Sequence, residues 1–181
     1  KNIHILGIAR TVGGLENLSD EIDEFKGFST MIPLDITNEN QLIALGKTIF
    51  EKWKKIDYFI HSAAVPAPLS PTVAISAKDF EQAMKTNVRA TLNLIQIIDP
   101  LLRASDNGQA LFVDDSNQGK FLAAYAASKA ANRSIINSYM LETKRLGPKV
   151  IIVEPLPMST NLRAKFFPGE NKAKLKSCLS Q

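Results

Sequence analysis

The sequence has little cysteine, no long hydrophobic run and no concentration of charge in the body of the chain. A single cysteine, Cys178, excludes an internal disulfide, and no Cys/His group has the spacing of a zinc site. No apolar stretch approaches the roughly 18 residues of a membrane span, and no secretory signal opens the chain. The 45% hydrophobic and 22% charged residues are typical of a globular protein. We therefore expect a cytoplasmic protein with neither a metal site nor a membrane partner.

The net charge of +4 comes from the end of the chain. Residues 160–181 contain five basic side chains and one acidic one, so the remainder is neutral. We expect one domain over residues 1–160 and a basic C-terminal tail over residues 161–181. A nucleic-acid or membrane-surface role for this tail, with Phe166 and Phe167, is the weakest of the functions considered. A nucleic-acid module places its basic charge on a folded face, so no nucleic-acid partner is expected.

Short β-branched runs alternate with longer helical patterns along the chain. Strands are predicted over residues 2–9, 29–35, 56–62, 109–113 and 149–153. Helices are predicted over residues 15–25, from an N-cap at Thr37 or Asn38 to Trp53, over 76–105 and over 123–146. Such alternation favours right-handed crossovers and a doubly wound parallel sheet with helices on both faces, which is the α/β Rossmann-like class.

Polar or small residues stand where the predicted strands end, and in open α/β sheets ligands bind beyond these ends. The segments are Arg10-Thr11, Leu34-Asp35, His61-Ser62-Ala63-Ala64 and Asp114-Asp115-Ser116. Tyr125 and Lys129 follow on a predicted helix and share one face at i and i+4. An ammonium group beside a phenol lowers the phenol pKa, so we expect a proton donor that works near neutral pH.

With these residues the chain resembles the short-chain dehydrogenase/reductase family, from residue 1 to about residue 169. The resemblance is carried by Tyr125 and Lys129 in YAASK, Asn87 in KTNVRAT and Asp35 in PLDIT, together with the order of elements. It implies an NAD(P)-dependent oxidoreductase that transfers hydride between a nicotinamide cofactor and a small-molecule carbonyl or alcohol. It also implies a homodimer formed through the helices at 76–105 and 122–146.

The resemblance assigns a role to each of these residues. Tyr125 would be the general acid/base, Lys129 would hold the nicotinamide ribose, and Asn87 would anchor a water that leads from Lys129 to solvent. Asp35 would meet the adenine, and Arg10 would favour NADP over NAD by binding a 2′-phosphate. The other cofactor-binding positions implied are Ala63, Ala64, Pro155 and Thr160. Asp35 as a helix-entry residue and Arg10 as a solvated loop residue remain alternatives.

The chain departs from the family pattern in its glycines. The family's first strand ends in Thr-Gly-x-x-x-Gly-x-Gly, whose amides bind the cofactor diphosphate. If Gly7 is taken as the first glycine of this motif, Thr11 stands at the position of the second glycine, so the motif is not matched. The 28 residues from Gly7 to Asp35 hold a single βα unit, so the family's first βα unit is absent from the sequence. Ala64 and Leu156 also stand where the family has glycines.

The catalytic serine is a further departure. In the family the serine stands at the end of the strand before the Tyr helix, and in this chain Asp114 and Asp115 stand there. Ser116 could replace the serine only if the loop to Tyr125 were rebuilt. A carboxylate there would repel a substrate oxyanion and raise the Tyr125 pKa, against the effect of Lys129. His61 is either a new catalytic group or a structural histidine, and the second interpretation is favoured.

The absent unit leaves two structural alternatives. In the family's strand order the first strand is central, so the strands at 2–9 and 56–62 each lose a neighbour. Either these two strands pair directly, or a segment outside the sequence fills the gap. These departures also leave a second functional hypothesis open, that of a degenerate, non-catalytic relative that serves as a structural or interaction subunit.

Overall fold

The computed structural model describes residues 3–177, in which strands and helices alternate. The strands are β1 (His4–Ala9), β2 (Phe28–Pro33), β3 (Tyr58–His61), β4 (Gln109–Val113) and β5 (Lys149–Val153). The α-helices are α1 (Val12–Glu24), α2 (Glu39–Trp53), α3 (Ala77–Met84), α4 (Ala90–Arg103), α5 (Ala123–Thr143) and α6 (Asn161–Phe166). A π-helical turn over Lys85–Arg89 joins α3 to α4, and short 3-10 turns cover Thr72–Ala74 and Lys172–Lys174. Cys178 and the first residue of the first predicted strand, Asn2, lie outside the described residues.

All strand pairs are parallel, which confirms the α/β Rossmann-like class. β1 pairs with β2, and β3, β4 and β5 form a separate three-stranded sheet in that order. The register is regular, with Gly7 opposite Met31 in the first sheet and Ile60, Leu111 and Ile151 side by side in the second. Because every strand runs the same way, their carboxyl ends lie at one edge of each sheet.

Helices cover both faces of the β1–β2 sheet. Leu6 and Ile8 point into a core with α2 and α4, whose buried members include Leu42 and Leu94. Gly7 points to the other face, where a Cβ would lie 2.3 Å from the Met31 sulfur and 3.3 Å from Leu18 of α1. The glycine is therefore used for close packing between β1, β2 and α1.

The second sheet is covered on one face and open on the other. Its covered face packs against α4 and α5 in a core of Ile95, Ile98, Leu102, Ala110, Phe112, Ile136, Tyr139 and Val150. The opposite face carries the row of Ile60, Leu111 and Ile151, and Ile60 is 67% exposed. Tyr58, on the same face of β3, is 66% exposed.

β1 and β3 each have one edge that pairs with no other strand in the described part of the chain. The two sheets share no strand pairing, so the expectation that these strands pair directly is wrong. They are nevertheless held in one layer, because Leu6 and Ile8 of β1 and Phe59 of β3 contact the same α2–α4 core. The other expectation, that a further segment fills the gap, stays a prediction.

The helix boundaries follow their capping residues. The Asn38 side chain accepts from the Gln41 N–H at 3.1 Å, which makes Asn38 the N-cap of α2. The Ser76 hydroxyl accepts from the Asp79 N–H at 3.0 Å and caps α3 as predicted. α1 begins three residues before the predicted start, since Gly13 and Gly14 are helical. Over the described residues, no helix is long and apolar enough to cross a membrane.

Candidate active site

The site lies where β4 ends and α5 begins. The chain leaves β4 at Val113, passes through a loop and enters α5 at Ala123, so Asp114 and Asp115 face the first turns of that helix. Tyr125 and Lys129 lie one helical turn apart on its buried face, 1% and 5% exposed respectively. The predicted pair is therefore brought to the carboxyl edge of the sheet.

The phenol of Tyr125 is bound by a carboxylate. Its hydroxyl donates to Asp115 Oδ2 at 3.2 Å, and the other oxygen of Asp115 accepts from the Asn117 N–H at 2.9 Å. Phe166 of α6 covers the Tyr125 ring at a centroid distance of 4.7 Å. This contact brings Phe166 into a core with Leu122 and Tyr125, so the helix at the start of the predicted tail packs on the domain. The boundary at residue 160 stays a prediction.

The ammonium group of Lys129 is paired with a second carboxylate. Its Nζ lies 3.1 Å from Asp114 Oδ1 and 3.4 Å from the Val113 carbonyl oxygen, to which it donates. Arg133 Nε donates to the other oxygen of Asp114 at 2.5 Å, and the same guanidinium contacts Glu154. Burial alone would raise the pKa of Asp114, but the Arg133 hydrogen bond and the Lys129 charge outweigh it and hold that pKa below its usual value. Asp114 is therefore ionised and compensates Lys129.

The expected lowering of the Tyr125 pKa by Lys129 is wrong. Burial raises the pKa of Tyr125 above its usual value, and the charges and hydrogen bond of Asp115 and Asp114 raise it further. The main physical reason is the burial of the phenol, and the nearby carboxylates act in the same direction while Lys129 is paired with Asp114. The contrary expectation, that a carboxylate at the serine position raises this pKa, is confirmed.

Asn87 lies in the π-helical turn and is 2% exposed. Its Oδ1 accepts from the Val65 N–H at 2.8 Å, while its Nδ2 donates to the Val65 carbonyl at 3.0 Å and to Ser128 Oγ at 2.9 Å. The amide thus ties the loop after β3 to α5, one residue from Lys129. A π-helical turn of this kind is frequent at functional sites.

The other residues predicted to lie near the nicotinamide are in the loops that follow β3, β4 and β5. Ser116 is exposed and donates to Glu154 at 2.9 Å, whereas the Tyr125 hydroxyl donates to Asp115. Thr160 caps α6 by accepting from the Arg163 N–H at 3.2 Å. Ala63, Ala64 and Pro155 lie in the loops that follow β3 and β5. Their proposed roles stay predictions.

Arg10 and Asp35 follow the ends of β1 and β2, respectively. Asp35 Oδ1 accepts from the Thr37 N–H at 2.9 Å, and this bond, with the charges of Arg10 and Lys85, lowers the pKa of Asp35. Asp35 therefore has a local role at the entry to α2 whether or not a ligand is bound. Arg10 is exposed and has no ion pair among the described residues.

Three residues of the site are not predicted as such from the sequence: Arg133, Glu154 and Phe166. Arg133 stands one turn beyond Lys129 on α5, so helical spacing could have found it. Glu154 directly follows the last strand, a position equivalent to that of the polar residues predicted at the other strand ends. Phe166 reaches Tyr125 from a distant segment and leaves no local signal.

His61 is a buried structural histidine. It is 6% exposed, its Nε2 lies 3.0 Å from Thr91 Oγ1, and its ring stacks on Phe59 at 6.0 Å. Burial, with the nearby Lys129 charge, lowers the pKa of His61 to about 4. The imidazole is therefore neutral in the native state at neutral pH, in keeping with the favoured structural interpretation.

The lowered pKa of His61 predicts that the free energy of unfolding decreases in acid. Unfolded His61 takes up a proton near pH 6.5, whereas native His61 resists protonation down to about pH 4, so stability falls as the pH drops through this window. The expected loss of unfolding free energy between pH 7 and pH 4 is about 3 kcal/mol, measured by urea denaturation. His61→Gln should flatten the pH dependence between pH 6.5 and pH 4. His4→Gln, which removes the other histidine, should retain it; equal profiles for the two variants would contradict the assignment.

The sequence profile described as short chain dehydrogenase matches residues 1–171. The chain belongs to the short-chain dehydrogenase family. It is 32% identical to the oxidoreductase YciK of Escherichia coli over 148 residues, which cover 80% of this chain and 58% of that protein. It is 30% identical to a tropinone reductase homolog of Datura stramonium, over 75% of this chain and 52% of that protein.

Solved structures agree with this membership. The short-chain dehydrogenase from Escherichia coli CFT073, solved with NADPH, superposes with a TM-score of 0.88 at 25% identity and covers 97% of this chain and 75% of that one. A Shigella flexneri short-chain dehydrogenase complexed with NADP gives 0.86 at 26% identity over 95% and 74%. The chain therefore spans only part of its relatives, between 45% and 58% of the first three curated ones.

Proposed function

We propose that this short-chain dehydrogenase is an oxidoreductase that transfers hydride between a nicotinamide dinucleotide and a carbonyl or alcohol. The observation that carries the proposal is the grouping of Tyr125, Lys129 and Asn87 at the carboxyl edge of the β3–β5 sheet. Tyr125 would exchange a proton with the substrate oxygen, and Lys129 would meet the nicotinamide ribose. Asn87 fixes the loop after β3 against α5 and would position Lys129.

The residues that follow β1 fit the adenine end of such a cofactor. At the adenine end, Arg10 stands beside the N-terminus of α1, where Thr11 makes no side-chain capping bond and a Cβ on Gly13 would meet no atom within 4 Å. Free N–H groups at a helix start, next to a guanidinium, favour an anion such as a 2′-phosphate. This supports NADP over NAD, with NAD as the alternative. When bound, the cofactor supplies or accepts the hydride.

Binding of NADPH to the purified chain tests the proposal. Arg10→Ala is expected to weaken NADPH binding about 10- to 100-fold, the usual loss for a hydrogen bond to a charged group, and to leave NADH binding unchanged. Quenching of cofactor fluorescence measures both affinities. Lys47→Ala, which removes an exposed lysine of α2, is the control with the same charge change. Equal weakening of NADPH by both variants would contradict a specific role for Arg10.

One observation favours a second function, that of a non-catalytic relative with a structural or interaction role. Asp114 forms an ion pair with the Lys129 ammonium group at 3.1 Å, and Asp115 accepts the hydrogen bond of the Tyr125 hydroxyl. The two functions differ in their response to cofactor. Thermal stabilisation by NADPH, with turnover of carbonyl compounds that Tyr125→Phe lowers at least about 100-fold, supports the oxidoreductase. No response at millimolar NADPH supports the non-catalytic relative.

The oligomeric state, the cellular location and the kind of substrate are also part of the proposal. The predicted homodimer would use residues 76–105 and 122–146, which contain α3, α4 and α5. A cytoplasmic location and a small-molecule substrate belong to the same proposal. Analytical ultracentrifugation of the purified chain decides the oligomeric state, and a monomer at micromolar concentration would contradict the dimer.

A further inference from the structure

The carboxylate of Asp115 is unusual because it touches the proposed reactive phenol and has no cationic partner. Its Oδ2 lies 3.2 Å from the Tyr125 hydroxyl, and its Oδ1 is held by the Asn117 N–H. The residue is half-buried, and no ion pair to it occurs within residues 3–177. A half-buried carboxylate without a counter-ion favours the approach of a cation.

The cations that surround Asp115 are already engaged. Lys129 and Arg133 both bind Asp114, and Arg133 also contacts Glu154. Three carboxylates and two cations therefore leave the phenol in a site of net negative charge. The pKa of Arg163 in α6 is raised mainly by Glu170 and to a smaller extent by the charge of Asp115. The Arg163 guanidinium is bound to Glu170 by two hydrogen bonds of 2.6 Å. The site lacks one positive charge.

A substrate can supply that charge. In the proposed function the reacting oxygen must accept a hydrogen bond from Tyr125, beside a carboxylate that repels a developing oxyanion. We propose that Asp115 is a specificity-determining residue that selects substrates with an ammonium group next to the reacting carbon, the amino ketones and amino alcohols. The ammonium group binds Asp115, releases the Tyr125 hydroxyl and compensates the negative charge. This inference rests on the proposed function and names its substrate class.

The spacing of the two groups suits this class. The phenol oxygen and Asp115 Oδ2 are 3.2 Å apart. Nitrogen and oxygen on adjacent carbons lie about 3 Å apart in the gauche form of an amino alcohol and when the C–N and C=O bonds of an amino ketone point to the same side, so both can form hydrogen bonds of normal length at once. Because Phe166 covers the Tyr125 ring and Asp115 is only half-buried, the ammonium group reaches the carboxylate before the oxygen reaches the phenol.

Two matched ligands test the selection without any cofactor. The probes are trans-2-aminocyclohexanol, which is cationic at pH 7, and trans-cyclohexane-1,2-diol, its neutral counterpart. Calorimetric titration of the full chain should show the amino alcohol binding about 10- to 100-fold more tightly, as expected for a hydrogen bond to a charged group. Equal affinities, or no binding of either probe, would overturn the inference.

Two variants assign the effect to one carboxylate. Asp115→Asn keeps the side-chain shape and should abolish the preference, whereas Asp106→Asn, in the exposed loop before β4, changes the net charge equally and should retain it. Ultraviolet titration of the phenols, with Tyr125→Phe as reference, should show that Asp115→Asn lowers the pKa of Tyr125. Retention of the preference in Asp115→Asn, or its loss in both variants, would show that Asp115 does not select the substrate.

The outcome is distinct from that of the proposed function. NADPH binding is measured separately on the same chain. Failure to bind NADPH with selective binding of the amino alcohol would contradict the oxidoreductase and leave a binding site for amino alcohols. NADPH binding without ammonium preference would retain the oxidoreductase and remove the proposed role of Asp115.

Discussion

Asp114→Ala is expected to lower the unfolding free energy by about 3–5 kcal/mol, because it leaves the Lys129 ammonium group buried without its counter-ion. The Asp114 and Lys129 side chains are 1% and 5% exposed, and the ammonium also donates to the Val113 carbonyl oxygen at 3.4 Å. Removing one partner of a buried pair costs far more than the pair contributes, since the remaining charge stays desolvated. Urea denaturation at pH 7 measures the loss. Asp106→Ala, at an exposed position, should change stability by less than about 0.5 kcal/mol.

The pH dependence identifies the same carboxylate. The native pKa of Asp114 lies below its unfolded value of 3.8, so the unfolded chain binds more protons in that window. The stabilisation by Asp114 is therefore present above pH 3.8 and is lost as the pH falls through the native pKa. This window lies below that of His61, so the two groups can be separated by denaturation at pH 5 and at pH 3.

A double-mutant cycle separates the charge pair from loss of packing. Lys129→Met removes the buried cation and keeps a flexible apolar chain of similar length. If the burial of an unpaired charge causes the loss, Lys129→Met should restore at least about 2 kcal/mol of the stability lost in Asp114→Ala. Additive effects of the two substitutions would instead show that the loss does not come from the unpaired Lys129 charge but from other contacts of Asp114, such as the one with Arg133.

Local signals in the sequence were sufficient to place most elements. β4 and β5 occupy the predicted residues 109–113 and 149–153, because Gly108 and Pro148 stand immediately before them. Ser76 could be identified as an N-cap because capping depends on residues three apart. The π-helical turn at Lys85–Arg89 was not predicted, since its sequence has the same helical pattern as its neighbours.

The electrostatics of the site could be predicted only in part. Helical spacing placed Tyr125 beside Lys129, and strand ends placed the two aspartates near both. The sign of the change in the Tyr125 pKa depends on which carboxylate neutralises which cation, and that is decided by distances of about 3 Å between separate segments. No spacing along the chain contains that information.

The gap between β1 and β3 leads to the second prediction of large effect. A strand–helix unit joined ahead of β1, with an apolar strand to pair between β1 and β3 and a helix to cover Ile60, should raise stability by about 2–4 kcal/mol. The estimate corresponds to burying the exposed two-thirds of two large side chains, Tyr58 and Ile60, which are 66% and 67% exposed. The added strand would also pair the open edges, which otherwise favour association between chains. Thermal unfolding and light scattering measure the two effects.

Ile60→Lys provides the control for this prediction. In the chain as described the substitution should change stability by less than about 0.5 kcal/mol and should reduce association, since Ile60 faces solvent. In the extended chain the same substitution buries a charge and should cost at least about 3 kcal/mol. A small cost in both chains would mean that the added unit does not occupy the gap. A large cost in the chain without the unit would mean that Ile60 is already covered. Because the two backgrounds differ only in the added unit, the comparison tests the occupancy of the gap separately from any activity.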